Sequence, residues 1–195
     1  MIPLEPDHEE SLALGRQMLE RVTAHLAALA HAPSHGREGA NQLALSFAEP
    51  RPPEGGRALT DILDQLEQGL QHTINTAGPG YLAYIPGGGL YASALAALWS
   101  AATNRYVGLW EPSPPLVQLE QNVIDWLCGL VGFGPDSGGV LTSGGSLANL
   151  IATVAARDHQ QPEDFLQGTV YVSNQAHLSV AKAARVAGFR QANLR

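Results

Sequence analysis

The chain has 195 residues, enough for one ordinary domain with a core of its own. Its formal net charge is −7 and it has no cluster of lysine and arginine, which argues against a nucleic acid or an anionic membrane as a partner. A single cysteine excludes an intrachain disulfide framework, and the N-terminus lacks the pattern of a secretory signal, so we expect a cytoplasmic protein.

The N-terminal part shows two helical patterns separated by an irregular segment. Apolar residues recur at helical spacing from Glu9 to about Ala30, which predicts the first helix. Residues 31–56 are rich in proline, glycine and serine and predict an extended connection with little regular structure. A second helix is predicted from about Asp61 to Asn75, with Thr60 as its N-terminal cap.

A loop and two apolar helices come next. Residues 78–89 are punctuated by glycine and proline and predict a loop that delivers side chains into a cleft, with a purely structural turn as the alternative. Residues 90–104 predict a buried helix whose apolar run is too short to span a bilayer. Another helix is predicted from Pro114 or Pro115 to Val131. Its apolar stripe, expected to be core, comprises Leu116, Leu119, Val123, Leu127 and Leu130.

The first of two strand-to-helix junctions lies in residues 138–150. An apolar strand over residues 139–142 runs through a small-residue turn into a helix. A phosphate can approach Gly144 and Gly145 closely, while Ser146 can cap the helix and face the anion together with the first-turn N–H groups. The turn matches neither a dinucleotide-binding fingerprint nor a Walker A loop, which weakens both of those readings.

The second junction repeats this order. A strand over Thr169–Ser173 leads through a short turn to His177 and into a helix from about Leu178 to Ala187, closed by Gly188. Two such units predict an α/β fold in which the two strands are parallel members of one sheet, with Ser146 and His177 at its functional edge. A histidine there can stack on a flat ring, act as acid or base, or only cap the helix, and these roles stay open.

Six motifs, taken in order, resemble one family. They are Gly80-Tyr-Leu-Ala-Tyr-Ile-Pro86, Ser113-Pro-Pro115, Leu119-Glu120, Asp125-Trp-Leu127, Ser143-Gly-Gly-Ser-Leu-Ala-Asn-Leu150 and Ser173-Asn-Gln-Ala-His-Leu-Ser179. Together they resemble the pyridoxal-phosphate-dependent group II amino-acid decarboxylases, which include the aromatic-amino-acid, histidine and glutamate decarboxylases. The resemblance covers most of the chain from about Gly78 onward.

The resemblance implies a fold-type-I, transferase-like α/β architecture, the cofactor pyridoxal 5′-phosphate and a set of site residues. Gly145 and Ser146 would hold the cofactor phosphate, with Asn149 near it. His177 would stack on the pyridine ring as the catalytic residue of this chain. The substrate end of the site would be lined by Tyr84 and Pro86. The implied activity is that of a carboxy-lyase acting on an L-amino acid.

The resemblance also implies two parts. Residues 1–85 would form a helical dimerisation segment that packs against the partner subunit of a homodimer, and residues 86–195 the first part of an incomplete cofactor-binding domain. The family's Schiff-base lysine and the aspartate that pairs with the pyridinium nitrogen lie well downstream of the histidine, and the chain ends at Arg195 without them. Lys182, the only lysine, matches neither and is expected to face solvent. We therefore expect an N-terminal portion, poorly active alone, that needs a complementing C-terminal portion.

Two alternatives from other classes remain open. Residues 144–148 resemble a nucleophile elbow, so a serine hydrolase would use Ser146 with His177 and either Asp158 or Asp164. A truncated, non-catalytic module for dimerisation or regulation is the other alternative, which the absence of the lysine favours. No set of histidines and cysteines has the spacing of a metal site, so no metal is expected.

Overall fold

The computed structural model describes residues 5–195, which divide into two compact units. The first unit ends at Asn104 and the second runs from Arg105 to Arg195. The α-helices of the described chain are α1 (His8–Ala28), α2 (Ala40–Ser46), α3 (Leu59–Gln71), α4 (Tyr91–Thr103), α5 (Pro114–Leu130), α6 (Gly145–Gln160) and α7 (Leu178–Val186). None of the helices in this range combines the length and the apolar character needed to cross a bilayer.

Helix α1 confirms the first predicted helix and begins with a capping box. The Asp7 carboxylate accepts the N–H of Glu10, and the Glu10 carboxylate accepts the N–H of Asp7, so two otherwise unsatisfied donors are paired. Further along α1, Arg21 forms ion pairs with Asp64 and Glu67 of α3. The hydrogen bond to Asp64 raises the pKa of Arg21.

The segment over residues 31–56 is more regular than its composition predicts, because it contains α2. The ring of Phe47, directly after α2, lies against Gly69 of α3, where an added Cβ would approach the ring to 3.1 Å. An antiparallel bridge between His35 and Ile74 also ties this segment to the end of α3. Contacts with α3 stabilise a helix of seven residues that would be marginal by itself.

The predicted cap of α3 is wrong. The helix begins at Leu59, so Thr60 lies inside its first turn, and Ala58 occupies the cap position without a side-chain hydrogen bond. The helix also ends at Gln71, four residues before the predicted end at Asn75. Terminal residues are the part of a helix that apolar periodicity determines least.

The predicted burial of two apolar helices is wrong as well. In α4, which confirms the predicted span, no residue is buried and Trp99 is 72% exposed. In α5, which also confirms its span, all five residues of the predicted core stripe are exposed, up to 82% at Leu130, and only Ile124 is buried. Periodicity identifies a face that can be buried, but the described residues supply no element that covers these faces.

The second unit has its core between α6 and α7. Ala184, Ala187 and Phe189 form a buried cluster, and residues of α6 and of the following loop pack against it. The small alanine side chains let the two helices approach closely. This packing brings the first half of α6 next to the start of α7, where the candidate site lies.

The predicted sheet is present only as one parallel pairing. Val170 and Val172 exchange backbone hydrogen bonds with residues 193–195, which follow α7, so strand, helix and strand succeed one another in the parallel sense. Residues 139–142 belong to no β-ladder within the described part of the chain. The expectation that residues 139–142 and 169–173 are parallel members of one sheet is therefore not met among the described residues, where residues 169–173 pair only with residues 193–195.

Candidate functional site

The start of α6 presents backbone donors without acceptors. Gly144 occupies the cap position and provides no side-chain cap, so Ser146 is the second residue of the helix rather than its predicted cap. Within the described chain, the N–H groups of Gly145 and Ser146 have no hydrogen-bond acceptor, nor has the Ser146 hydroxyl. The carbonyl of Gly144 accepts the N–H groups of Leu147 and Ala148, which closes the first turn.

The space around this helix start is open. A Cβ added at Gly144 or Gly145 would meet no atom within 4 Å, and both glycines and Ser146 are exposed. The Thr142 hydroxyl donates to the Gly144 carbonyl at 3.0 Å, which fixes the turn. A phosphate group is bound by hydrogen-bond donors and by positive charge. This helix start offers two backbone N–H groups, one hydroxyl and the positive end of the helix dipole. The residues present therefore fit the phosphate of a cofactor.

His177 is the N-terminal cap of α7. Its Nδ1 accepts the backbone N–H of Ser179 at 3.2 Å and lies 2.8 Å from the Ser179 Oγ. The residue is otherwise exposed. The structure thus gives His177 the capping role that sequence reasoning held open, and it leaves the imidazole accessible to a flat ligand.

Asn149 joins the two helix starts. Its Nδ2 donates to the Ser179 Oγ at 2.8 Å, and Ser179 is only 6% exposed. One of the two N–H bonds of the Asn149 side-chain amide is thereby engaged, and a place for Asn149 near the cofactor phosphate stays a prediction. Sequence reasoning missed Ser179, although a serine two residues after a capping histidine was the available signal.

The predicted substrate residues belong to the first unit. Tyr84 and Pro86 lie in the loop over residues 78–89, which confirms the predicted loop. Tyr84 is 96% exposed and has φ of 61°, a left-handed conformation that is uncommon outside glycine and is enriched at functional sites. The substrate role of both residues stays a prediction.

The residues of the hydrolase alternative are not assembled in the described chain. No hydrogen bond joins Ser146 to His177 there, and the His177 Nδ1 is occupied by the cap of α7. Asp158 pairs with Arg157 at 2.7 Å, and Asp164 accepts a backbone N–H of its own loop. A nucleophile, base and acid in mutual contact are what such catalysis needs, so the structure does not support this alternative.

Comparison with known proteins relates the chain to pyridoxal enzymes. A family model described as the pyridoxal-dependent decarboxylase conserved domain matches residues 44–195. The aromatic-L-amino-acid decarboxylase of Bacillus atrophaeus is 30% identical over 188 residues, which are 96% of this chain and 39% of that protein. The chain therefore spans about two fifths of the length of such relatives.

Solved structures confirm the predicted fold-type-I α/β class. Catharanthus roseus tryptophan decarboxylase, in complex with L-tryptophan, superposes with a TM-score of 0.85 at 23% identity, covering 100% of this chain and 44% of that one. Oryza sativa TDC with PLP gives a TM-score of 0.82 at 23% identity, with coverage of 100% and 44%. At this identity the likeness concerns the fold alone.

Proposed function

Because the chain belongs to the pyridoxal-dependent decarboxylase family, we propose that it supplies the phosphate- and ring-binding part of a pyridoxal 5′-phosphate site in an amino-acid decarboxylase. The observation that carries the proposal is the open start of α6, whose N–H groups and Ser146 hydroxyl have no acceptor in the described chain. When bound, the cofactor supplies an electron sink for cleavage of the bond between Cα and the carboxylate.

In this proposal each residue has one physical task. The N–H groups of Gly145 and Ser146, with the Ser146 hydroxyl, bind the phosphate and fix one end of the cofactor. The imidazole of His177 lies against the pyridine ring and holds its plane. Tyr84 and Pro86 contact the side chain of the substrate. Aromatic L-amino acids are the proposed substrate class, since relatives named aromatic-L-amino-acid and tyrosine decarboxylases share the family.

None of the residues assigned above attaches the cofactor covalently in this proposal. Lys182, the only lysine, is exposed on α7, as predicted. We assign the lysine and the partner of the pyridinium nitrogen to a complementing portion, and we place the assembly in a homodimer. A cytoplasmic setting is part of the proposal and accords with the free thiol of Cys128.

A dimerising module without catalytic activity is the second candidate function. The exposed apolar faces of α4 and α5 favour it, because such faces are normally covered by another protein surface. The two candidates differ in one measurable property. Only the first predicts that the start of α6 binds pyridoxal 5′-phosphate.

Cofactor affinity tests the proposal. Ser146→Ala removes one hydrogen bond to a charged acceptor, which is worth about 1.5–3 kcal/mol, so the dissociation constant for pyridoxal 5′-phosphate should rise about ten- to a hundredfold. Absorbance titration of the chain measures it. Ser100→Ala, which removes an exposed hydroxyl from α4, is the control and should leave the constant unchanged. Equal affinity in wild type and Ser146→Ala would contradict the proposal.

A further inference from the structure

We propose that Asn149 and Ser179 are positioning residues for His177, which fix its ring plane and select, for the neutral imidazole, the tautomer with its proton on Nε2. Their role in cofactor binding rests on the proposed function, whereas the state of the imidazole is a property of the chain itself. Three side chains on two helices form the network, and one of them, Ser179, is buried.

The hydrogen bonds of this network have a defined direction. The Asn149 Nδ2 can only donate, so the Ser179 Oγ accepts from it at 2.8 Å. The Ser179 hydroxyl proton is then available to the His177 Nδ1, which is also 2.8 Å away. Because Nδ1 also accepts the backbone N–H of Ser179 at 3.2 Å, it carries no proton of its own. A neutral imidazole in this arrangement has its proton on Nε2.

Burial explains why the network holds this direction. Ser179 lies between α6 and α7 at 6% exposure, so its hydroxyl has little access to water and must be satisfied by protein groups. Asn149, itself half-buried on α6, supplies the donor that orients the hydroxyl towards His177. His177 is exposed, so without this second donor only the longer backbone contact would restrain its ring.

The consequence for the site is pre-organisation. A ring that rotates freely must be ordered when a flat ligand stacks on it, and this ordering weakens binding. A ring already fixed at Nδ1 presents one face and one N–H without that loss. The packing of α6 on α7 thereby connects the phosphate-binding helix start to the orientation of the imidazole.

Ring ¹⁵N resonances of the uniformly labelled, cofactor-free chain test the inference at a pH above the ordinary histidine range. The His177 signals are assigned by their loss in His177→Gln. In wild type we expect one tautomer, with Nε2 protonated and Nδ1 not. Ser179→Ala removes the second donor, and the signals should move towards an average of both tautomers.

Asn149→Asp is the sharper variant, because it hardly changes size yet reverses the direction of the network. A carboxylate accepts the Ser179 hydroxyl proton, so the Ser179 Oγ can then only accept from the His177 Nδ1, and the signals should move towards the tautomer with its proton on Nδ1. Thr153→Val removes another half-buried hydroxyl from α6, which donates to the backbone carbonyl of Asn149 and not to its side chain, and it should leave the signals unchanged. If Ser179→Ala does not fold, Asn149→Asp provides the test alone.

The outcome is distinguishable from that of the proposed function. A single tautomer that is lost in the variants supports the inference whether or not pyridoxal 5′-phosphate binds, since the spectra are recorded without it. Averaged tautomers in wild type, or an unchanged tautomer in Asn149→Asp, would overturn the inference even if Ser146→Ala weakens cofactor binding as proposed.

Discussion

The imidazole of His177 has different atoms for its observed cap and for the proposed contact with a cofactor. Its Nδ1 lone pair, which lies in the ring plane, caps the start of α7. The ring faces and Nε2 remain accessible to a ligand. Stacking uses the face of a ring and capping uses its edge, so one residue can perform both. The cap also restricts ring rotation, which would favour the proposed stacking on the cofactor ring.

Two substitutions of His177 separate these tasks. His177→Ala removes the cap and should lower the free energy of unfolding by about 0.5–2 kcal/mol, whereas His177→Asn keeps a capping acceptor and should restore most of it. Both variants lack the imidazole and should bind pyridoxal 5′-phosphate more weakly than wild type. Urea denaturation and absorbance titration measure the two effects. If His177→Asn were stable and bound the cofactor as tightly as wild type, His177 would have only the capping role.

At the level of the element, α7 depends on contacts at both of its ends. A helix of nine residues is marginal in isolation. His177 caps its start, and its end forms a Schellman motif in which Phe189 N–H bonds the Ala184 carbonyl and Gly188 N–H bonds that of Arg185. The guanidinium of Arg157 on α6 donates to the Ala187 carbonyl at 2.6 Å.

The glycine in this motif should be sensitive to substitution. Gly188 has φ of 98°, and an added Cβ would lie 2.9 Å from the Phe165 ring, so Gly188→Ala should lower the free energy of unfolding by about 1–2 kcal/mol. Gly129→Ala in α5 is the matched control, since its Cβ meets nothing within 4 Å and should stabilise the helix by about 0.5–1 kcal/mol. Urea denaturation compares them. If the two substitutions changed the free energy of unfolding by the same amount and in the same direction, this account would be contradicted.

The elements also show what the sequence determines and what it does not. Apolar periodicity predicts the positions of α1 and α5, and Gly188 predicts the end of α7, because these features act within a few residues. The Asn149–Ser179 contact joins residues 30 positions apart, and α2 depends on packing against α3, so neither leaves a local pattern. Burial of α4 was predicted wrongly for the same reason, since burial requires a covering surface as well as an apolar face.

At the level of the whole molecule, exposed apolar surface is the dominant property. The accessible surface is 15734 Å², against about 8,900 Å² expected for a folded monomer of this mass. Within the described chain, the buried apolar residues are only Ile124, Ala183, Ala184, Ala187 and Phe189. A chain whose hydrophobic content is 45% therefore leaves most of its large apolar side chains in contact with water.

This surface should make the purified chain self-associate. Sedimentation velocity over a range of concentrations should show a rising apparent mass, because contact between copies removes apolar area from water. A double variant with Trp99→Gln and Leu130→Gln, both at exposed positions, should associate more weakly without losing helical content. A monomer at all concentrations would contradict the expectation that these faces require a partner surface.

Lys182 provides the last test, which separates a cofactor-binding chain from a self-sufficient enzyme. Its neighbours Ala183 and Ala184 face the core, so Lys182 lies on the solvent side of α7, about 7 Å along the helix from its cap. Borohydride reduction of the chain with pyridoxal 5′-phosphate should therefore give no stoichiometric adduct at Lys182 by peptide mass spectrometry, and Lys182→Arg should bind the cofactor as wild type does. Stoichiometric labelling of Lys182 together with amino-acid turnover would show instead that this chain anchors the cofactor itself.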